Sequence, residues 1–302
     1  MKLSKGLVWL IVIVAVVLGM DFFLRPLYYL NELTYFREWK NGVESRDVTV
    51  AGIRIHYLAE GPAGGPPVVL VHGLGVRAEE WAALAPYLIR AGYRVYMPDL
   101  PGYGRSQKPA DFSYSVHDEA RMVAGFLDAL GLQRVDLGGW SMGGGIAQYV
   151  AFDHPDRVRK LMLFDAVGIN AAPVFDTRLF TPENADQLAQ LEALLSPHPV
   201  EAPGFITRDV LKYFRRNGWV IQRAMASMLT RQDATDAILP QLKMPVLIVW
   251  GGEDRILPAS QGETMHRLVP QSELNIVQGC GHLAPKECTA EVGPRVVAFE
   301  NK

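Results

Sequence analysis

Along most of this 302-residue chain, short apolar runs alternate with longer stretches of helical periodicity. Val48-Thr-Val and Ile53-Arg-Ile-His-Tyr alternate apolar and polar positions on either side of Ala51-Gly52, which predicts a hairpin. Pro67–Val71 is a continuous apolar run, the pattern of a strand buried on both faces. Tyr93–Met97, Val135–Gly138, Leu161–Phe164, Val246–Trp250 and Leu274–Val277 repeat that pattern. Between them, Glu79–Ala91 has helical spacing and stops at Gly92. A second helix runs from a Ser115 cap, with Asp118 three residues on, to Leu130 and Gly131. Strands and helices in alternation predict an α/β fold with a mostly parallel sheet covered on both faces.

One stretch breaks the rhythm. Residues 168–240 carry no buried-strand pattern, and an all-helical insert between two strands would sit at one end of the sheet as a lid. Thr181-Pro182 is a helix start with proline at the first position. Leu188, Leu191, Leu194 and Leu195 then line one helix face, and Ile221, Met225 and Met228 recur at helical spacing. The core thus comprises residues 47–167 and 241–302.

The N-terminus is different again. Lys2 and Lys5 precede fifteen apolar residues, Gly6–Met20, then Asp21 and Phe22-Phe-Leu24. Fifteen helical residues span about 22 Å against a ~30 Å hydrocarbon core, and extension to Leu24 nearly closes the gap. Arg25, Tyr28 and Tyr29 read as interfacial anchors, so residues 1–30 form a single-pass membrane anchor and residues 31–46 a polar connector. A cleaved signal peptide is the competing reading, with Val17 and Gly19 as small-residue positions. Bulky apolar residues follow, however, where a polar mature start is expected. Lys2 and Lys5 against Arg25 favour a cytoplasmic N-terminus and an extracytoplasmic domain.

A net charge of −2 supplies no basic field for nucleic acid. The seven histidines are scattered without metal-site spacing, and no metal or other cofactor is expected. Two cysteines, Cys280 and Cys288, are too few for a disulfide framework. They would pair only in an oxidising compartment and are expected to stay unpaired.

The chemistry concentrates in a few turns. Strand Val135–Gly138 runs into Gly139-Trp-Ser141-Met-Gly143-Gly144 and then a helix, the strand–turn–helix setting that makes G-x-S-x-G a nucleophile elbow. A serine hydroxyl needs a base. Gly279-Cys-Gly-His282 follows the last strand and offers an imidazole, whereas His154 and His266 sit in helices. An acid must orient that histidine: Asp254, after strand Val246–Trp250, is the choice. Glu253 is its solvated neighbour, and Asp165, after Leu161–Phe164, is a competitor. Backbone N–H groups of Leu74 and Met142 are placed to form an oxyanion hole. His72 reads as a structural residue of the Leu74 loop, and Asp99–Ser106 as a glycine turn shaping the rim. Trp140, Met225 and Met228 are candidate substrate-binding residues.

His72-Gly73, Asp99-Leu-Pro-Gly-Tyr-Gly104, Gly139-x-Ser141-x-Gly143, Gly251-x-x-Asp254 and Gly281-His282, in that order, resemble the α/β-hydrolase superfamily over nearly all the chain past residue 47. With the N-terminal run, Leu179-Phe-Thr-Pro-Glu-Asn184 and Val249-Trp-Gly-Gly-Glu-Asp254, the chain is similar to membrane-anchored monoacylglycerol lipase-type esterases. The resemblance implies a serine hydrolase of monoacylglycerol or similar lipid esters. Relatives that attack with aspartate are excluded by Ser141. Two other readings stay open: a carbon–carbon bond hydrolase of ring-cleavage products, which shares the Ser-Met-Gly-Gly elbow but is normally soluble, and a triad-bearing ligand-binding protein.

Overall fold

The computed structural model describes Val17 and residues 19–302. Most of the Gly6–Met20 run assigned to an anchor or signal peptide therefore lies outside the described residues. Among the described residues, no helix is long and apolar enough to cross a membrane.

One sheet of eight strands organises the chain. β1 (Glu44–Val50) and β2 (Ile53–Glu60) form the expected hairpin, turned by Ala51 and Gly52 at φ values of 48° and 81°. Paired positive φ values match the right-handed twist of the flanking strands. β3 (Pro67–Val71), β4 (Arg94–Pro98), β5 (Val135–Trp140), β6 (Val158–Phe164), β7 (Val246–Gly251) and β8 (Ser272–Val277) complete the sheet. The order is β1-β2-β4-β3-β5-β6-β7-β8, antiparallel at β1–β2–β4 and parallel thereafter.

Because strand side chains alternate, one continuous apolar run feeds two cores. Val68 and Leu70 join a cluster with Trp81, Leu88, Phe164, Val296 and Phe299. Val69 and Val71 join the opposite one with Val123, Phe126, Ile146, Val150 and Ile248.

Several expectations are corrected. The polar connector at 31–46 is largely helical: α1 spans Pro26–Lys40, with proline in its first turn, where no N–H is needed. The single helix expected over Glu79–Ala91 is split into a 3₁₀ turn, Ala78–Ala83, and α2, Ala85–Arg90. Pro86, which has no N–H to give the preceding turn, resets the helix there. α3 (Val116–Ala129) starts at the expected cap, Ser115 Oγ accepting from Asp118 N–H at 3.1 Å.

α4 (Met142–Asp153) follows β5 directly. Between β6 and β7, the helix expected from Thr181 begins instead at α5 (Ala185–Leu195). Asn184 accepts from Gln187 N–H at 3.0 Å, and Gln187 Oε1 accepts from Glu183 N–H at 2.8 Å. These side-chain bonds at the helix start outrank the proline. α6 (Gly204–Leu229), α7 (Ala259–Leu268), α8 (Ala284–Glu287) and α9 (Thr289–Glu300) follow. Cys280 and Cys288, expected unpaired, are joined by a disulfide, their Cα atoms 6.4 Å apart. The spacing of eight residues let the turn at α8 fold one back on the other, which a cysteine count could not reveal.

Candidate active site

The site lies beyond the carboxyl ends of β3, β5, β7 and β8, where loops of a parallel sheet converge. Ser141 is the single residue between β5 and α4, at φ 53° and ψ −119°. Its N–H donates to Phe164 O at 2.9 Å and its carbonyl accepts from Val167 N–H at 3.1 Å, so neighbours hold a conformation that a serine disfavours. The turn is tight enough that a Cβ on Gly139 would strike the Gly143 carbonyl, and one on Gly143 the carbonyls of Val71 and His72. Only glycine fits at either place.

His282 comes to the serine from the loop after β8. Its Nε2 lies 2.9 Å from Ser141 Oγ and its Nδ1 2.7 Å from Asp254 Oδ2. Further bonds fix the carboxylate and the backbone of the histidine. The other Asp254 oxygen, Oδ1, accepts from the N–H groups of Ile256 and Leu257, both at 2.8 Å. His282 N–H donates to Leu195 O at 2.9 Å, and Trp140 Nε1–H donates to the His282 carbonyl at 2.8 Å. Just outside, the Cys280–Cys288 disulfide brackets the loop.

Asp165, the competing acid, does not reach His282. It is fully buried, with Oδ1 accepting from Gly251 N–H at 2.6 Å. Burial, reinforced by the Asp254 carboxylate, pushes its carboxyl well above the usual range. Glu253 is exposed.

The Leu74 loop closes on the serine from β3. A Cβ on Gly73 would sit 3.3 Å from Ser141 Cβ. His72 pins this loop: Nδ1 lies 2.7 Å from Gly73 O, and Leu100 N–H donates to Nε2 at 3.0 Å. Burial pushes its pKa down, so a neutral ring donates at Nδ1 and accepts at Nε2. Met142 opens α4, so its N–H has no intrahelical acceptor. The Asp99 turn is built on one carboxylate, which accepts from Ala78 and Arg105 N–H and lies 2.9 Å from His56 Nδ1.

Two cavities meet at Ser141. One, of about 130 Å³, is lined by Met142, Val167, Phe175, Met225, Met228 and Leu257. The other, of about 120 Å³, is bounded by Trp140, Leu191, Leu195, Phe214, Ile221 and His282. Both expected methionines therefore face the serine's cavity. Trp140 borders the second cavity, but its indole N–H is committed to His282, a link between residues 142 apart that no local sequence signal marks. The Leu195 carbonyl that holds His282 escaped sequence reasoning for the same reason.

A serine at a strained strand-to-helix turn, over an eight-stranded, mostly parallel sheet, is the hallmark of one large class of hydrolases. Residues 66–195 and 199–287 match the model of the alpha/beta hydrolase fold family, and the chain belongs to that family. Lipase 1 of Psychrobacter immobilis is 26% identical over 288 residues, covering 90% of this chain and 88% of the relative. A 2-hydroxymuconate semialdehyde hydrolase of Pseudomonas putida is 31% identical over 252 residues, covering 78% and 87%. Among solved structures, a membrane phospholipase A described as a bacterial virulence factor superposes with a TM-score of 0.83. It is 27% identical and covers 99% of this chain and 100% of its own. The chain is a hydrolase by this kinship.

Proposed function

We propose that the protein is a serine hydrolase of carboxylic esters, acting on monoacylglycerol or similar lipid esters through an acyl-enzyme on Ser141. Ser141 Oγ attacks the ester carbonyl carbon while His282 Nε2 takes its proton. Asp254 holds Nδ1–H and stabilises the imidazolium that forms. The N–H groups of Leu74 and Met142 receive the developing oxyanion. As the intermediate collapses, the carbon–oxygen bond breaks and His282 returns the proton to the departing alcohol. Water, deprotonated by the same imidazole, then frees the fatty acid.

The observation that carries the reading is the unbroken chain Ser141–His282–Asp254, at 2.9 and 2.7 Å, opening onto an apolar cavity. His282 protonates the leaving group, so the alcohol belongs in the cavity that His282 borders, and the acyl chain in the one lined by Met225 and Met228. Residues 168–240 act as the lid that roofs both. Residues 1–30 tether the enzyme to a membrane, with its catalytic domain outside the cytoplasm, where the Cys280–Cys288 pair is stable.

A fluorophosphonate probe and a panel of glycerol and simple esters test this. The parent should be labelled and hydrolyse acyl esters, whereas Ser141→Ala should take no label. Ser141→Ala should retain only the ~10³–10⁴-fold acceleration over water left by oxyanion stabilisation and binding. Equal labelling of both would remove Ser141 from the mechanism. Carbon–carbon hydrolysis is the second reading, favoured by Arg231 and Asn170 in the acyl cavity, which could hold a carboxylate. Turnover of a ring-cleavage dienoate in preference to every ester would establish it.

A further inference from the structure

Helix α1 is inside out. Asn31, Tyr35 and Glu38, at helical spacing, face the body of the protein, and the contacts they make are polar. Asn31 accepts from Arg77 at 2.8 Å, Glu38 accepts from Arg105 at 3.4 Å, and the Tyr35 ring lies 4.3 Å beneath the Arg105 guanidinium. Leu33 and Phe36 lie on the opposite face, exposed by 45% and 55%, and Tyr28 and Trp39 stand out at its margin, exposed by 47% and 73%. These contacts set which side of the helix meets the body of the protein. Among the described residues, exposed large apolar side chains concentrate between Val17 and Trp39.

A basic stripe borders this face. On α6, Arg208, Lys212, Arg215 and Arg216 follow helical spacing and are all exposed. α1 is moored to the same helix: Leu27 N–H donates to Asp209 at 3.1 Å, Lys212 Nζ donates to Leu24 O at 3.0 Å, and Phe23 packs on Phe205 with ring centroids 5.0 Å apart. Arg25, Arg37 and Lys40 add cations on α1 and its entry, against Asp21 and Glu32.

We propose that the outward face of α1 and the basic stripe of α6 together form a docking surface for an anionic phospholipid bilayer. Tyr, Trp and Phe are the side chains that settle at the headgroup level, and flanking cations draw such a helix to anionic lipid. The occupant is a bilayer rather than a second copy, because the surface pairs aromatic anchors with a surplus of cations that a copy of itself would repel. In sequence, the apolar run Gly6–Met20 lies a few residues ahead of this helix. The surface adjoins the tether proposed for residues 1–30 and shares Arg25 and Tyr28 with it, but it differs in needing anionic headgroups, which a tether does not.

The full chain is mixed with vesicles of phosphatidylcholine, with and without phosphatidylglycerol, carrying acyl chains brominated near the headgroup. Flotation reads the tether, while the quenching lost in Trp39→Phe reads the docking face alone. Trp39-dependent quenching should be strong in anionic vesicles, weak in neutral ones and reduced by salt. Arg208→Gln, Arg215→Gln and Arg216→Gln combined should weaken docking on the order of 100-fold, at about tenfold or less per charge. All these side chains are exposed, so the fold should be retained, and turnover of a water-soluble ester reports it. Quenching equal in both vesicles, or insensitive to the triple change, overturns the proposal. So does a dimer in solution that Phe36→Ser and Trp39→Ser convert to monomer.

Discussion

Asp165 and Asp254 follow the neighbouring strands β6 and β7, yet only Asp254 hydrogen-bonds His282, while burial pushes the Asp165 carboxyl well above its usual range. Asp165 is buried with a single backbone donor on one oxygen and no partner for the other among the described residues. Asp254 bonds the imidazole through Oδ2 and accepts from two backbone N–H groups at Oδ1. Burial, and then the Asp254 carboxylate nearby, account for the upward shift of Asp165.

The mutational consequence is a ranking. Asp254→Asn should cost ~10⁴-fold in kcat by presenting the wrong hydrogen-bond partner to the ring. Asp165→Asn keeps an acceptor for Gly251 N–H and leaves the His282–Asp254 bond in place, so kcat should fall by less than about tenfold. Steady-state kinetics on a short ester decides it, and the reverse order would move the acid to β6.

Trp140→Phe should act on position rather than chemistry. It leaves the buried His282 carbonyl without its donor, at a cost of about 1–3 kcal/mol in stability. The loop should loosen, lowering kcat more than it raises KM. Calorimetry and kinetics on the same sample separate the two effects. A kcat equal to the parent's would mean that Leu195 and Asp254 alone hold the ring.

The cavity beside Met225 and Met228 should set chain-length preference. Each buried methylene contributes up to ~0.8 kcal/mol, so four added carbons should raise kcat/KM at least about tenfold until the space is filled. Met225→Glu or Met228→Glu should flatten that dependence and spare acetate esters. A parent that prefers acetate would defeat the lipid-ester assignment.

Stability should fall with rising pH through Glu300. Burial, then the Asp136 carboxyl beside it, pushes this group from 4.5 up to about 9. The folded protein therefore keeps a proton that the unfolded chain gives up. Its contribution is complete below 4.5, declines across the interval and is lost above about 9. Glu300→Gln, neutral throughout, should flatten melting temperature across that interval. An unchanged slope would assign the effect to another group.

The local sequence determined much of this molecule. Alternation of apolar runs with helical spacing determined the class of fold, because burial on both faces of a strand needs an unbroken apolar run. The elbow at Ser141 was legible because its strand–turn–helix pattern is local and its first glycine answers a clash four positions away, Gly139 against Gly143, although Gly143 answers Val71 and His72 on another strand. The Ser115 cap and the Ala51-Gly52 turn were legible for the same reason.

Tertiary structure decided the rest, wherever the partner was distant in sequence. Asp165 and Asp254 look alike as residues after strands, and only their burial and reach to His282 tell them apart. The Trp140 indole and the Leu195 carbonyl hold His282 across 142 and 87 positions, the second distance being the difference of the two residue numbers. Cys280 met Cys288 because α8 turned the chain back. The helix at Pro26–Lys40 hid in a polar-looking segment because Asn31 and Glu38 point inward to Arg77 and Arg105, while Leu33 and Phe36 point out. Periodicity records which residues share a face; what that face meets is set by energies of contact that exist only once the chain has folded.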